Sequence, residues 1–258
     1  MEKPVIRLVD YALAFPIFHG GARSLKKSLF KSVKQTVASR GRVGGQVRNV
    51  SDTMMVQALD GLTLEINAGE HVGLIGHNGA GKSTLLRALA GIYESPFGKL
   101  EIRGEVHALL DPQSGMNIDL TGRENIELFA RMLQFDQNQT KELEREVEDF
   151  ADLGAFLDLP VRLYSSGMVV RLGFGLATAP RPQILLMDEW FMAGDQHFQD
   201  KARARLESMI AQADILVLTS HSLPVLREWS TRVIWMEGGR VRMDGAPDTV
   251  LDAYEAAS

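Results

Sequence analysis

The chain has 258 residues, 45% of them hydrophobic and 24% charged, with 28 Lys and Arg against 33 Asp and Glu and a formal net charge of −5. This is room for one large α/β domain or two small ones, and the composition is that of an ordinary globular chain. No apolar run reaches the ~18 residues a membrane span needs, MEKPVIRLVD at the N-terminus lacks an apolar signal core, and the absence of cysteine excludes disulfides, thiolate metal sites and thiol chemistry. A cytosolic chain is expected, and the negative balance gives no case for general nucleic-acid binding.

In chain order, PVIRLVD (4–10) alternates loosely and predicts a short strand. Residues 11–51 then carry eight Lys and Arg and no Asp or Glu, a basic segment on an otherwise acidic body. Within it, SLKKSLFKSVKQTV (24–37) spaces Leu25, Leu29, Val33 and Val37 four apart, opposite Lys26, Lys27, Lys31 and Lys34. That spacing predicts an amphipathic helix with a basic face. RGRVGGQVRN (40–49) is glycine-rich and predicts a flexible connection. VQALDGLTLEINAGEHVGLIG (56–76) predicts strands separated by turns at Asp60-Gly61 and Ala68-Gly69, with Val72–Ile75 buried.

TLLRALAGI (84–92) predicts a helix closing at Gly91. Thr121 and Glu124 form a capping-box pattern at the head of a helix over 121–134, and 141–154 predicts a second, highly charged helix. YSSGM (164–168) stands before an apolar run and predicts a helix N-terminus whose backbone N–H groups could seat an anion. Two apolar strands follow, ILLMD (184–188) and ILVLTS (215–220), with a helix over KARARLESMIAQA between them, and VIWMEGGRVRMDG (233–245) predicts a hairpin turning at Gly238-Gly239.

GHNGAGKST (76–84) fits the P-loop pattern G-x-x-x-x-G-K-[ST] and lies between a predicted buried strand and a helix, the context the motif requires. Gly76, His77, Asn78, Gly79, Ala80 and Gly81 would wrap backbone N–H groups around phosphate oxygens, Lys82 would reach the β- and γ-phosphates, and Ser83, followed by Thr84, would ligate Mg²⁺. The second Mg²⁺ element should be an acid at the end of a neighbouring buried strand, and ILLMDE supplies Asp188. Glu189 is placed to orient and polarise the attacking water, and His221, after the next strand, to hydrogen-bond the γ-phosphate. The reading to this point is Mg²⁺-dependent hydrolysis of a nucleoside triphosphate.

The order of P-loop, helical insert, YSSGM, ILLMDE and TSHS resembles the ATP-binding subunit of an ABC transporter over roughly 5–250. The resemblance implies an α/β, P-loop NTPase fold of ABC type, with a β-rich lobe, a RecA-like three-layer core and a helical subdomain at about 120–180. It implies one nucleotide-binding domain over 1–258, a basic insertion at about 16–52, and no C-terminal carbohydrate-binding domain after VLDAYEAAS. YSSGM falls where the family carries a signature, commonly LSGGQ, that binds the γ-phosphate of ATP held by the opposite subunit. Ser165 and Gly167 match it, while Ser166 and Met168 depart from it. Asp195 falls at the D-loop aspartate. The Q-loop would lie within LLDPQSGM, at Gln113 or equally at Pro112. The adenine-stacking aromatic would be Phe15, with Phe18 or Tyr11 as alternatives.

YSSGM, LTGREN, DEW followed by GD, and the FPIF…RSLKKSLF segment are similar to the subgroup that exports O-antigen, capsule and teichoic acid. The resemblance implies a homodimer of ATP-binding subunits at the cytoplasmic face of the bacterial inner membrane. Two membrane-spanning permease subunits would work with it, moving a lipid-linked glycan at the expense of ATP with Mg²⁺. An exporter of lipid or drug, or a non-transport ABC ATPase, is the alternative. The basic helix has three readings: a solvated face, a surface for anionic headgroups, or a contact with the membrane partner.

Overall fold

The computed structural model describes residues 3–17, 46–50, 53–110, 115–188 and 196–257. Strands β1 (Val5–Ile17), β2 (Gln46–Val50) and β3 (Thr53–Asn67) come first, and β4 (His71–Ile75) and helix α1 (Lys82–Leu89) flank the glycine-rich loop. Next come β5 (Phe97–Arg103), β6 (Val106–Leu109) and helices α2 (Gly122–Met132), α3 (Gln137–Ala151) and α4 (Ser166–Ala177). The chain continues through β7 (Ile184–Asp188), α5 (Gln196–Gln212), β8 (Ile215–Thr219), α6 (Leu223–Trp229), β9 (Arg232–Glu237), β10 (Arg240–Gly245) and α7 (Pro247–Ala257).

One sheet is antiparallel, in the order β2-β3-β1-β5; the other runs β10-β9-β4-β8-β7-β6, parallel except for the β9–β10 hairpin. Helix α1 lies between them, so Leu85, Leu86 and Leu89 share a core with Leu8, Leu59 and Ile66 of the antiparallel sheet. The central strands are buried on both faces, as expected of parallel strands covered by helices. Ile184 and Leu186 of β7, Ile215 and Val217 of β8, and Ile234 and Met236 of β9 point to the α1 side. Their neighbours Leu185, Met187, Leu216, Leu218, Val233 and Trp235 point to a second core under α5, α6 and α7.

The helical lobe has its own core, including Ile126, Val147, Leu157, Leu172 and Leu176. Its helices start where side chains satisfy orphan N–H groups: Thr121 and Glu124 form the expected capping box on α2, and Asp136 with Gln139 forms a second on α3. Arg123 on α2 reaches Glu144 and Glu148 of α3 and Asp158 beyond it, tying the lobe together. These three acceptors hold its guanidinium pKa above the ordinary value.

Several expectations change. The first strand continues to Ile17, and residues 46–49 of the expected flexible connection at 40–49 form, with Val50, β2 against β3, while 40–45 lie outside the described residues. Asp60-Gly61 is not a turn but a bulge inside β3. Gly61 takes a φ of 67° and Asp10 opposite it takes 48°, so an extra residue on each strand cancels by Leu13–Leu59, and one further shift on β3 then brings Gln57 opposite Ala14. α1 starts two residues ahead of its expected 84, at Lys82, while α3 runs from Gln137 to Ala151 because Asp136 caps it. β5, β6, α6 and α7 had no counterpart in the sequence reading. The amphipathic segment 24–37 lies outside the described residues.

Candidate nucleotide-binding site

The loop between β4 and α1 is shaped by glycines that no other residue could replace without collision. A Cβ on Gly76 (φ 148°) would lie 2.2 Å from the Met236 carbonyl oxygen, and one on Gly81 (φ 105°) would lie 2.7 Å from that of Ala58. The hairpin after β9 presses on the loop from outside, with Gly239 N–H donating to the Ala80 carbonyl at 3.0 Å. The wrapped loop and the first turn of α1 face an open cavity of about 470 Å³. Asn78, Gly79, Gly81, Lys82, Ser83, Thr84, Asp188 and His221 line it.

Lys82 is 7% exposed, and its Nζ donates to the carbonyls of Gly76 at 2.6 Å and His77 at 3.3 Å. Ser83 Oγ donates to Asp188 Oδ1 at 3.1 Å, and Thr219 Oγ1 donates to the same oxygen at 2.7 Å. One carboxylate oxygen at the end of β7 is thus held by hydroxyls from α1 and from the end of β8. The cavity lies at the carboxyl ends of parallel strands, with an ammonium, loop N–H groups and the start of a helix converging on it. That arrangement binds phosphate.

Of the residues read from the sequence, the structure brings Asn78, Gly79, Gly81, Lys82, Ser83, Thr84, Asp188 and His221 together at this cavity. Gly76 and Ala80 are buried behind it as framework, and His77 is exposed at the loop surface. Phe15 does not line the cavity; it packs edge-on to Tyr93, ring centroids 5.1 Å apart. Tyr11 is buried in the core, with its hydroxyl 3.4 Å from the Tyr93 carbonyl. Phe18, Pro112, Gln113, Glu189 and Asp195 lie outside the described residues.

Ser165, Ser166 and Gly167 do not line the cavity either. Ser165 is the N-cap of α4, its hydroxyl accepting from Met168 N–H at 3.3 Å, with Ser166 and Gly167 in the first turn. Thr219, Met236, Gly239 and Tyr93 were missed, because each acts through a neighbour far away in sequence.

Fold and pocket together define a P-loop nucleoside triphosphatase. Residues 59–192 match the ABC transporter family. The chain is 42% identical over 232 residues to the O-antigen export system ATP-binding protein RfbE of Yersinia enterocolitica, covering 90% of this chain and 94% of that protein. It is 36% identical over 217 residues to the teichoic acids export ATP-binding protein TagH of Lactococcus lactis, covering 84% of this chain and 46% of that protein. A solved ATP-binding subunit of an ABC transporter superposes with a TM-score of 0.67 at 20% identity, covering 97% of this chain and 93% of that one. A second structure, a dimeric ATP-binding cassette in a post-hydrolysis state bound to ADP and Pi, gives 0.64 at 18% identity, covering 94% and 98%. The chain belongs to the ABC transporter family, as an ATP-binding subunit that hydrolyses ATP. No described helix is long and apolar enough to cross a membrane.

Proposed function

We propose that the chain powers export of a lipid-linked surface polysaccharide of O-antigen type, acting as a peripheral subunit on the cytoplasmic face of the bacterial inner membrane. The observation that carries this reading is the 42% identity across 90% of the chain to an O-antigen export ATP-binding protein. The 36% identity to a teichoic acids export ATP-binding protein points to the same class of cargo. The domain reading is one nucleotide-binding domain with a helical subdomain and a basic insertion, and its membrane partners are two permease subunits.

In the site, the triphosphate occupies the cavity under the Gly76–Thr84 loop, with Lys82 on the β- and γ-phosphates and His221 on the γ-phosphate. The Ser83 hydroxyl and Asp188 carboxylate, 3.1 Å apart, are a sparse set of hard oxygens. Such a set suits Mg²⁺, which keeps waters and takes phosphate oxygens for its remaining positions. When bound, Mg²⁺ neutralises charge on the phosphates. Glu189, one residue past Asp188, orients and polarises the attacking water.

Gly167 supports a second copy completing the site. It lies in the first turn of α4, and among the described residues a Cβ there would meet nothing nearer than Ser165 Oγ at 4.0 Å. Glycine in a helix costs about 0.5–1 kcal/mol relative to alanine. With no packing reason for it among the described residues, the space is kept for a close approach from outside, by the ATP of a facing protomer. Asp195 organises that interface, Gln113 or Pro112 stands at the Q-loop, and Phe15, outside the phosphate cavity, stacks on adenine.

The test is Glu189→Gln in the native host, scoring surface glycan and lipid-linked intermediates at the inner membrane. Loss of surface polymer with accumulating intermediates is expected. Normal surface polymer, with the variant made and binding ATP, refutes polysaccharide export while leaving the ATPase.

A further inference from the structure

Helix α7 touches the nucleotide loop. His77, the second residue of GHNGAGKST, turns its ring outward, 5.7 Å from the ring of Tyr254 on α7 and tilted 45° to it. Tyr254 in turn meets Trp235 at 5.3 Å and 88°. Trp235 pairs in register with Ile75, the last strand residue before the loop. The Arg242 guanidinium lies 3.9 Å from the centroid of the Trp235 ring. Trp235 is 3% exposed, and its Nε1 finds no hydrogen-bond acceptor among the described residues. Its place is therefore held by ring contacts rather than by a polar anchor.

Helix α7 is also fixed to the other side of the cavity. Arg227 on α6 bonds Asp248 and Asp252 of α7 and lies 3.6 Å from Glu255. α6 begins at Leu223, two residues after His221. Beneath, Val250 and Leu251 are fully buried. Helix α7 thus stands between the loop bearing His77 and the segment bearing His221, held below by its buried Val250 and Leu251.

The loop needs such a hold. Lys82 now steadies it by bonding the carbonyls of Gly76 and His77. With three N–H donors, Lys82 can keep both carbonyls while it donates to one phosphate oxygen, but donating to both the β- and γ-phosphates draws on a donor now given to the loop, the longer bond to His77 being the weaker of the two. The Tyr254 ring supplies a tether from outside.

We infer that Tyr254 is a positioning residue for ATP binding, holding the nucleotide loop open through His77, so that docking of α7 and occupancy of the loop are coupled. Coupling of this kind is reciprocal: whatever displaces α7 weakens ATP binding, and ATP tightens α7 against the domain.

The inference rests on the reading that this loop holds ATP. It is tested with the full chain, measuring ATP affinity with a fluorescent ATP analogue alongside thermal melting. Failure of the underlying reading shows as no binding by the unaltered chain or no loss in Lys82→Ala. Tyr254→Ala is expected to weaken ATP binding about three- to tenfold, the range lost with one aromatic pair. Tyr254→Phe should restore affinity, since the ring and not the hydroxyl makes the contact. Tyr254→Leu, which refills the space, should restore the melting temperature but not the affinity. With His77→Ala, the double variant should be no weaker than the weaker single one. Affinity within twofold in Tyr254→Ala, full rescue by Leu, or independent addition of the His77 and Tyr254 effects would each overturn the inference.

Discussion

Gly167→Ala separates what a glycine does for its own chain from what it does for a partner. α4 contains a useful contrast. A Cβ on Gly175 would press to 3.3 Å from Val147 Cγ1 and 3.4 Å from Phe150 Cδ1, so that glycine lets α4 pack tightly on α3. Among the described residues, a Cβ on Gly167 would come within 4.0 Å of Ser165 Oγ alone. Alanine at 167 therefore gains helix propensity without a clash among the described residues, up to about 1 kcal/mol, the value for a helix interior. For a chain of this size 1 kcal/mol corresponds to roughly 2–4 °C, so a rise of up to about 4 °C is expected. ATPase activity at saturating ATP should fall about tenfold or more, as when one backbone donor to a transition-state oxygen is lost or held off. Calorimetry and phosphate release on the same preparation give both numbers. A melting temperature that falls refutes the packing argument. Activity within twofold of the unaltered chain, with the rise in stability present, refutes the assignment of this space to the ATP of a facing copy.

Three further outcomes follow from the geometry. Thr219→Val keeps the side-chain volume but removes the 2.7 Å hydrogen bond that fixes Asp188 Oδ1. A bond to a charged acceptor contributes about 1.5–3 kcal/mol, so a titration of ATPase activity against Mg²⁺ should shift to higher concentration; an unchanged curve contradicts the role given to Thr219. Gly76→Ala places a methyl 2.2 Å from the Met236 carbonyl oxygen in a backbone conformation alanine avoids, so ATP binding should be lost with a drop in melting temperature, and a folded variant that binds ATP within twofold excludes that geometry. His107 donates from Nε2 to the Ala177 carbonyl at the end of α4, and burial pushes its pKa below the ordinary 6.5. The folded state then takes up a proton less readily than the unfolded state, so this contribution to stability is present above pH 6.5 and is lost as pH falls through the folded value. His107→Gln should flatten the loss in urea midpoint between neutral and mildly acidic pH; an equally steep loss in the variant refutes the assignment.

The parts of the site legible in the sequence are those one short segment must supply by itself. A phosphate-wrapping loop needs its glycines, Lys82 and Ser83 contiguous, and the flanking apolar strand and helix are visible on either side. Asp188 was legible because an acid ending an apolar strand is unusual beside such a loop. The first strand was misjudged because the paired bulges at Asp10 and Gly61 break the period-2 pattern that marks a strand, and Asp-Gly reads locally as a turn.

What could not be read is sidedness and contact across distance. ILLMD, ILVLTS and VIWMEG show only that their strands are buried; nothing in a continuous apolar run says that Trp235 faces the helices while Met236 faces α1. That choice is made by the register of β9 on β4, which aligns Trp235 with Ile75. It has two consequences at once. The Met236 carbonyl lands against Gly76, which forces a glycine there, and Trp235 lands beneath Tyr254, which brings α7 to His77. A slip of one residue in β9 would exchange the two faces and leave both contacts unmade. The glycine at 76 is thus legible as a motif in the sequence, while its reason lies in a strand more than 150 positions later.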